Sequence, residues 1–558
     1  MRYPKEEIEN YRRNAGELEN DLIDEYRAGT LTRRELVQRG SVVGISLPLL
    51  GLIAGVPGAF AAPAAPLGSG GGTLRIGTGN VEGSLEPPLL QSLGSLGISH
   101  IPGEQLVFAD RNSVLRPRLA TSWRPTRGAR SWTFNLRKNV KFHDGSPMTA
   151  DDVVATFKRL LTKDSQAQSS YKGLLSPGGV KKVNASTVRF DLERPNGLFP
   201  YLTGQMTYQA IILPRDYQLP SDLEKPGEWT TKMNGTGPFK LKENRGAAGL
   251  SFEVNPTYWG GRSPISAVEV QILEDQARVT ALQSGQIDLA VQVSYQGAQQ
   301  LEGKANVIPQ STSTHRLLNM NTKVKPFSDV RVRQAIALAL DRPQIARGLW
   351  GQYAEPGNDS PLWRGYAFTS KSVPQRRQNL EKARALLKAA GAENLKLTLT
   401  CYRSFEMPDY AQRVAQALKR IGIDCQVKVF TGAQYFDGVS FGAPGKLAPW
   451  LDTDFGIVDY GHRAVPLTFL NAALRTGGVW NSSRYSNKQF DRAVANFEAA
   501  PSLAQQRRYS REIQTILLRD TPAIYSYFYN FIAAASPKVK GYVPDGIAVI
   551  NLRGVRLT

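Results

Sequence analysis

At 558 residues the chain is too long for one ordinary hydrophobic core, so two or three domains are expected. A hydrophobic content of 41% with a mean hydropathy of -0.31 describes a soluble globular protein and excludes one built from membrane spans. The formal net charge of +21 is carried by dispersed Lys and Arg with no basic block, so a basic solvated surface is expected and not nucleic-acid binding.

Residues 1–30 are polar and of mixed charge, and are expected to form a helical or flexible extension. Arg33 and Arg34 then precede a moderately apolar run that ends at Ala59-Phe60-Ala61. A basic start, an apolar middle and an A-x-A site read together as an export signal. The paired arginines after Thr32 resemble a twin-arginine signal. Pro48, Pro57 and several Gly suit a signal better than a stable span; the alternative is an uncleaved anchor helix. No Cys lies near the cleavage site, which argues against a lipoprotein. Residues 1–61 hold 8 basic and 9 acidic residues, leaving 61 basic and 39 acidic beyond them, net +22. Residues 62–72, APAAPLGSGGG, read as a flexible linker.

The segment TLRIGTGN is expected to be the first strand of the mature fold, followed by a loop containing Glu86, Pro87 and Pro88. The most informative stretch is 131–160, SWTFNLRKNVKFHDGSPMTADDVVATFKRL. Trp132, Phe134 and Leu136 alternate with Thr133, Asn135 and Arg137, the period of a half-buried strand. HDGSP is turn chemistry, and by its residues alone His143-Asp144 is a turn held by side-chain hydrogen bonds. Thr149 caps a helix whose third position, Asp152, suits the helix dipole, with Val153, Phe157 and Leu160 as its apolar stripe.

The same stretch closely resembles the signature of the family 5 extracellular solute-binding proteins, the peptide, dipeptide and nickel receptors of ABC importers. LRPRLATSWRP (115–125) resembles the family's lead-in, and TVRFDLERP (187–195) alternates like a sheet partner, so 116–234 form one α+β unit. Thr236-Gly237-Pro238-Phe239 matches the family's GTGPF motif, physically a tight turn entering a strand. VEVQIL, DQARVTALQSG and QIDLAV form a β-α-β unit similar to a family segment.

In 317–356, a second match, Val332, Ala335, Ile336, Ala339 and Leu340 form one buried helical face capped by Asp329. Arg331, Arg333 and Arg342 are expected mostly on the solvated or salt-bridged face. Helix 379–391 ends at Gly391, and strand 395–401, helix 410–421 and strand 423–430 give a βαβ pattern. Cys401 would end one strand and Cys425 begin the next, too far apart for a disulfide, so two free, buried thiols are expected. No Cys/His spacing suggests a metal site, and no metal or cofactor is expected.

A third match covers 458–494. The family's peptide receptors often place an acidic residue here against the peptide's amino terminus. This chain has Gly461-His462-Arg463 and Val465-Pro466 where an Asp-Pro element is common, with Asp459 nearby. Asp459, Tyr460, His462 and Arg463 are read either as cleft lining or as a structural loop network. Tyr402, at a strand end, and Glu86, in the early segment that borders the family's cleft, complete the candidate ligand-binding set. The alternative for Glu86 is a solvated loop carboxylate. Segment 518–546 resembles the return crossing, with Tyr525, Tyr527 and Tyr529 alternating as in a strand.

The resemblance implies an α/β, periplasmic-binding-protein-like fold of class II topology, with two lobes and a hinge. Lobe one would span 73–318 and 530–558, with the α+β subdomain inserted, and lobe two 319–529. The implied function is an extracytoplasmic solute receptor of an ABC importer. It would bind a peptide or similar small solute in the interlobe cleft and pass it to a membrane permease, as a monomer that does not bind nucleic acid. The rivals are an exported hydrolase acting on envelope polymers and an envelope peptide-binding chaperone. The hydrolase lacks an HExxH motif and a supported Cys/His pair.

Overall fold

Period-2 segments and capped amphipathic segments alternate along the chain, and they assemble into two open sheets. The computed structural model describes residues 3–56, 71–79, 81, 83–222, 225–441, 445–500 and 502–558. The first sheet has the strand order Asn306–Gln310, Phe531–Ala535, Leu289–Ala290, Thr73–Thr78, Ala267–Ile272, Leu250–Val254, Phe239–Asn244. Thr73–Thr78 is flanked by parallel partners on both sides, and helix Asp275–Gln283 makes the crossover between them. The second sheet runs Ala354–Pro356, Ala523–Tyr529, His315–Met320, Phe455–Tyr460, Lys396–Tyr402, Asp424–Phe430, with its last three strands parallel. Its central strands His315–Met320 and Ala523–Tyr529 are buried at every residue, as a sheet covered on both faces requires.

The chain passes between the sheets twice, through 311–314 and at Asn530. The first passage precedes the boundary expected at 319, because His315 and Arg316 already pair with Tyr460 and Asp459 in the second sheet. An inserted four-stranded antiparallel sheet joins Ala120–Pro125, Ser131–Leu136, Thr187–Asp191 and Val180–Asn184. Its core is aromatic: Phe190 meets Phe134 edge-on at 5.4 Å and Phe157 at 4.8 Å between ring centroids. Thr149 and Asp152 form a capping box on helix Ala150–Leu160.

The HDG turn has a second duty. The His143 ring nitrogens lie 3.2 Å from the Met233 carbonyl and 3.0 Å from that of Gly237. Asn234 Nδ2 donates to Asp144 Oδ2 at 2.8 Å. The signature turn therefore holds the GTGPF turn. Gly235 is required there, because a Cβ would run into the Pro102 carbonyl.

Two expectations change. Arg333 and Arg342 are buried, not solvated. Arg342 forms a bidentate pair with Asp359 at 2.7 and 2.8 Å, and Arg333 donates to the carbonyls of Phe327, Asp520 and Thr521. Only Arg331 of the three is exposed. The helix also breaks at Leu340, where Asp341 caps a second helix, Arg342–Trp350, and this break turns Arg342 inward. Cys401 and Cys425 are free thiols, four register positions apart on paired strands; Cys401 is buried but Cys425 only half-buried.

The N-terminal extension is helical: α1 (Tyr3–Asn14), α2 (Glu17–Arg27), α3 (Arg33–Val42) and α4 (Leu47–Ile53). No helix among the described residues is long and apolar enough to cross a membrane. Ala59-Phe60-Ala61 and most of the linker lie outside the described residues.

Candidate functional site

In open α/β sheets ligands gather outside the carboxyl ends of the parallel strands. Here those ends are Thr78, Ile272 and Ala290 in the first sheet and Tyr402, Phe430 and Tyr460 in the second. Both interlobe passages leave from these same edges, since His315 and Tyr529 begin and end their strands beside Tyr460. Tyr402, Asp459 and Tyr460 thus sit where the two lobes face each other.

Asp459 belongs to a buried charge cluster. The Arg316 side chain is fully buried, and its Nε and Nη2 donate to Glu406 at 3.0 and 3.1 Å while Nη1 pairs with Asp459. Tyr527 donates to Glu406 Oε1 at 2.6 Å, and Tyr529 to Asp459 Oδ1 at 3.1 Å. The guanidinium also lies 4.7 Å from the centroid of the Tyr529 ring, which Trp350 stacks against from 4.3 Å. Burial disfavours the Arg316 charge, but Asp459 and Glu406 outweigh it and hold the pKa well above the usual Arg value. One cation against two carboxylates leaves a formal charge of −1. Of the two acids, Asp459 is the more open, with its side chain 16% exposed against 3% for Glu406.

Tyr460 points to the other face of the sheet. It stacks on Trp480 at 5.7 Å and meets Phe469 and Trp450, and its hydroxyl has no partner among the described residues. Tyr402 stacks on Tyr435 at 5.4 Å and meets Phe436 edge-on, so these rings make one continuous aromatic wall with Trp450.

His462 and Arg463 are buried and brace the first passage. His462 Nδ1 accepts from the Ser313 N–H at 3.0 Å, and Ser313 Oγ accepts from the Arg463 N–H at 3.0 Å. Burial, helped by the Arg463 charge, pushes the His462 pKa down to about 3, so its ring is neutral and free to accept. The Arg463 guanidinium lies over the Tyr208 ring at 4.0 Å and donates to its hydroxyl. The pair thereby links lobe two to lobe one.

Glu86 is a correction. It is fully buried in lobe one and accepts from Tyr217 Oη, from the N–H groups of Gly227, Trp229 and Thr230, and from Thr230 Oγ1, at 2.6–3.2 Å. Its oxygens are saturated at the start of helix Glu228–Lys232, and none remains for a solute. Sequence reading missed Arg316, Glu406, Tyr527 and Tyr529 as a cluster. The visible signal was Arg316 itself, a full charge beside Leu317 and Leu318 in the strand HRLLNM, which needs buried partners.

GVSFG (438–442) fits the G-x-S-x-G pattern of a hydrolase nucleophile elbow, a strand-to-helix turn. Ser440, however, follows the short helix Gly432–Phe436 and lies in no helix among the described residues. Nor does any His serve it: His100, His143, His315 and His462 bond to Leu96, Met233 and Gly237, Ser313, and Ser313 respectively.

Residues 114–466 match the family described as bacterial extracellular solute-binding proteins, family 5 Middle. The chain belongs to that family. The dipeptide-binding protein DppE of Bacillus subtilis is 25% identical over 521 residues, covering 86% of this chain and 88% of the relative. The periplasmic binding protein DppA of Helicobacter pylori, solved with the peptide STSA, superposes with a TM-score of 0.75 at 23% identity, over 87% of this chain and 98% of that one. NikZ of Campylobacter jejuni, solved with Ni(L-His), superposes with a TM-score of 0.74 at 19% identity, over 87% and 99%. Membership fixes the two-lobed fold with its cleft and a binding role: this family 5 chain is an extracytoplasmic solute receptor of an ABC importer.

Proposed function

We propose that the solute is a peptide or a similar small molecule carrying a cationic group, held between the lobes and delivered to a membrane permease by hinge closure, the closed form docking on the permease. The observation that carries this reading is the Arg316–Glu406–Asp459 cluster, which leaves excess negative charge at the carboxyl edge of the lobe-two sheet. Asp459, the more open of its acids, meets the solute's ammonium group. Tyr402 and Tyr460 end their strands at the same sheet edge, with Tyr460 on the face opposite Asp459, and supply apolar wall to a solute that reaches over that edge, while His462 and Arg463 set the hinge geometry and touch the solute little. The peptide named with the Helicobacter pylori structure and the dipeptide in the name of the Bacillus subtilis relative support the class; Ni(L-His) in the third comparison marks its breadth.

Closure follows from differential affinity, because a solute that contacts both lobes stabilises only the closed form. The chain acts as a monomer, without nucleic acid, and is exported by the twin-arginine route. Native mass spectrometry of the purified full-length chain, followed by identification of what denaturation releases, tests the reading. A released peptide or amine-bearing solute is expected. An anionic sugar or other molecule without a cationic group would overturn the assignment to Asp459.

A further inference from the structure

The N-terminal helices, read from sequence as an export leader, do not stand apart from the body. Leu22, Ile23, Leu36, Val37, Val42 and Leu50 are all buried. All but Ile23 join the hydrophobic core that contains Trp123 and Trp132 of the inserted subdomain. On the subdomain side, Trp123 Nε1 donates to the Val42 carbonyl at 2.9 Å, and the Leu115 N–H donates to Ser41 Oγ at 2.9 Å. Gly44, with φ of +89°, lies so close to the Trp123 carbonyl that a Cβ would collide with it.

On the lobe-two side, Arg507 of helix Leu503–Asp520 is fixed to its own lobe by a 2.9 Å bond from Nε to the Ala367 carbonyl, and its Nη2 pairs with Glu35. Glu35 is shared. One oxygen pairs with Arg507 while the other closes the α3 capping box with the Thr32 N–H at 2.8 Å. Between these two attachments lies a cavity of about 450 Å³, walled by α2 and α3, by Pro125 and Leu198 of the subdomain, and by Phe368 of lobe two. Arg33 and Arg34, at the first turn of α3, stay exposed.

We propose that residues 3–56 form an interlobe strap in the full-length chain, tying the inserted subdomain to lobe two through α3 and opposing their separation. The strap is held to the subdomain by core packing and hydrogen bonds and to lobe two by the Glu35–Arg507 pair, with the cavity between the two attachments. Where the leader reading also holds, the described part of the apolar run, residues 42–56, packs partly against the body, while the paired arginines stay exposed. The strap itself rests on neither the solute class nor the leader reading, and it is tested without a solute.

Hydrogen exchange of the full-length chain is the experiment. The amides of 36–42 are expected to exchange at least about 100-fold more slowly than the unprotected rate, as docked helix does. Glu35→Gln keeps the capping box, since Gln serves at that position, but loses the charge pair with Arg507. It is expected to speed exchange about fivefold, the order a part-exposed pair contributes, in three segments together: 36–42, 115–123 and 367–370. Arg507→Gln breaks the same bond from the other lobe and is expected to give the same three-segment response. Exchange of 36–42 at the unprotected rate would overturn docking. Acceleration confined to 36–42 in both variants would overturn the bridge between lobes. Either failure leaves the solute reading untouched.

Discussion

Glu86 in lobe one and the Glu406–Asp459 pair in lobe two are both buried acid sites near a strand end, and they are stabilised in opposite ways. Among the described residues Glu86 is held by neutral donors: three backbone N–H groups and two hydroxyls at a helix start. Glu406 and Asp459 share one guanidinium. Neutral donors that use every lone pair make an anchor. Two carboxylates on one cation make a site with charge to spare, provided one of them reaches solvent. The number of donors, and not burial alone, separates a structural acid from a functional one.

The largest effect should come from removing the shared cation. Arg316→Met leaves two carboxylates and two tyrosine hydroxyls in a largely buried site without their cation and is expected to destabilise the fold by about 3–5 kcal/mol. Denaturant unfolding measures it, and adding Glu406→Gln to the variant should recover part of the loss. A loss below about 1 kcal/mol would mean that the acids are not held by Arg316 as described.

Glu86→Ala comes next. It strands several donors at once and should lose about 2–4 kcal/mol, each buried unpaired group costing about 1–3 kcal/mol less whatever water recovers. The affinity of the folded fraction for the co-purified solute should not change. A tenfold loss of affinity would return Glu86 to the binding set.

Asp545 is the limiting case, a buried acid with no cation against it among the described residues. Its Oδ1 accepts from the Ile547 N–H at 3.1 Å, but Oδ2 and the neighbouring Tyr542 hydroxyl have no partner among the described residues. Burial pushes its pKa up to about 7. An unfolded Asp titrates near 3.9, so the folded state keeps its proton longer. The stability this contributes is complete below about pH 4 and is lost as pH rises through 7, at about 1.4 kcal/mol per unit. Asp545→Asn, which cannot ionise, should therefore gain about 2–3 kcal/mol on the parent chain between pH 5 and pH 8 in parallel unfolding curves. No change in that difference across the range would show that Asp545 is ionised throughout.

The comparison also explains what could be read in advance. The strand Ser131–Leu136 and its capped helix were legible because period and cap chemistry are local, and the family strings pointed to the two-lobed fold. Arg333 and Arg342 were misplaced because helical spacing assigns a face but not what later covers it. The break at Leu340 turns Arg342 inward, and Asp359, 17 positions on, is the partner that receives it. Glu86 failed for the same reason: its donors Tyr217, Gly227, Trp229 and Thr230 lie more than 130 positions away. Asp459 was singled out by its neighbourhood, but its charge balance depends on Arg316 from the neighbouring strand and on Glu406 at the start of helix Met407–Lys419, which only the fold brings together.

The smallest effect on stability should be Asp459→Asn, and it is the sharpest test of the contrast. Arg316 keeps its bidentate partner Glu406, and the Asn oxygen can still accept from Tyr529, so a loss under about 1 kcal/mol is expected. The cluster, however, falls from a formal −1 to neutral. Removal of a charge-assisted contact to the solute's ammonium should weaken binding about 10- to 100-fold, equivalent to about 1.5–3 kcal/mol. Calorimetric titration with the solute identified by mass spectrometry reads both binding constants on stable proteins. A large affinity loss with little stability loss is the inverse of the result expected for Glu86→Ala, and that inversion is what the donor count predicts. Unchanged affinity would instead make Arg316, Glu406 and Asp459 a closed structural network, the lobe-two counterpart of Glu86.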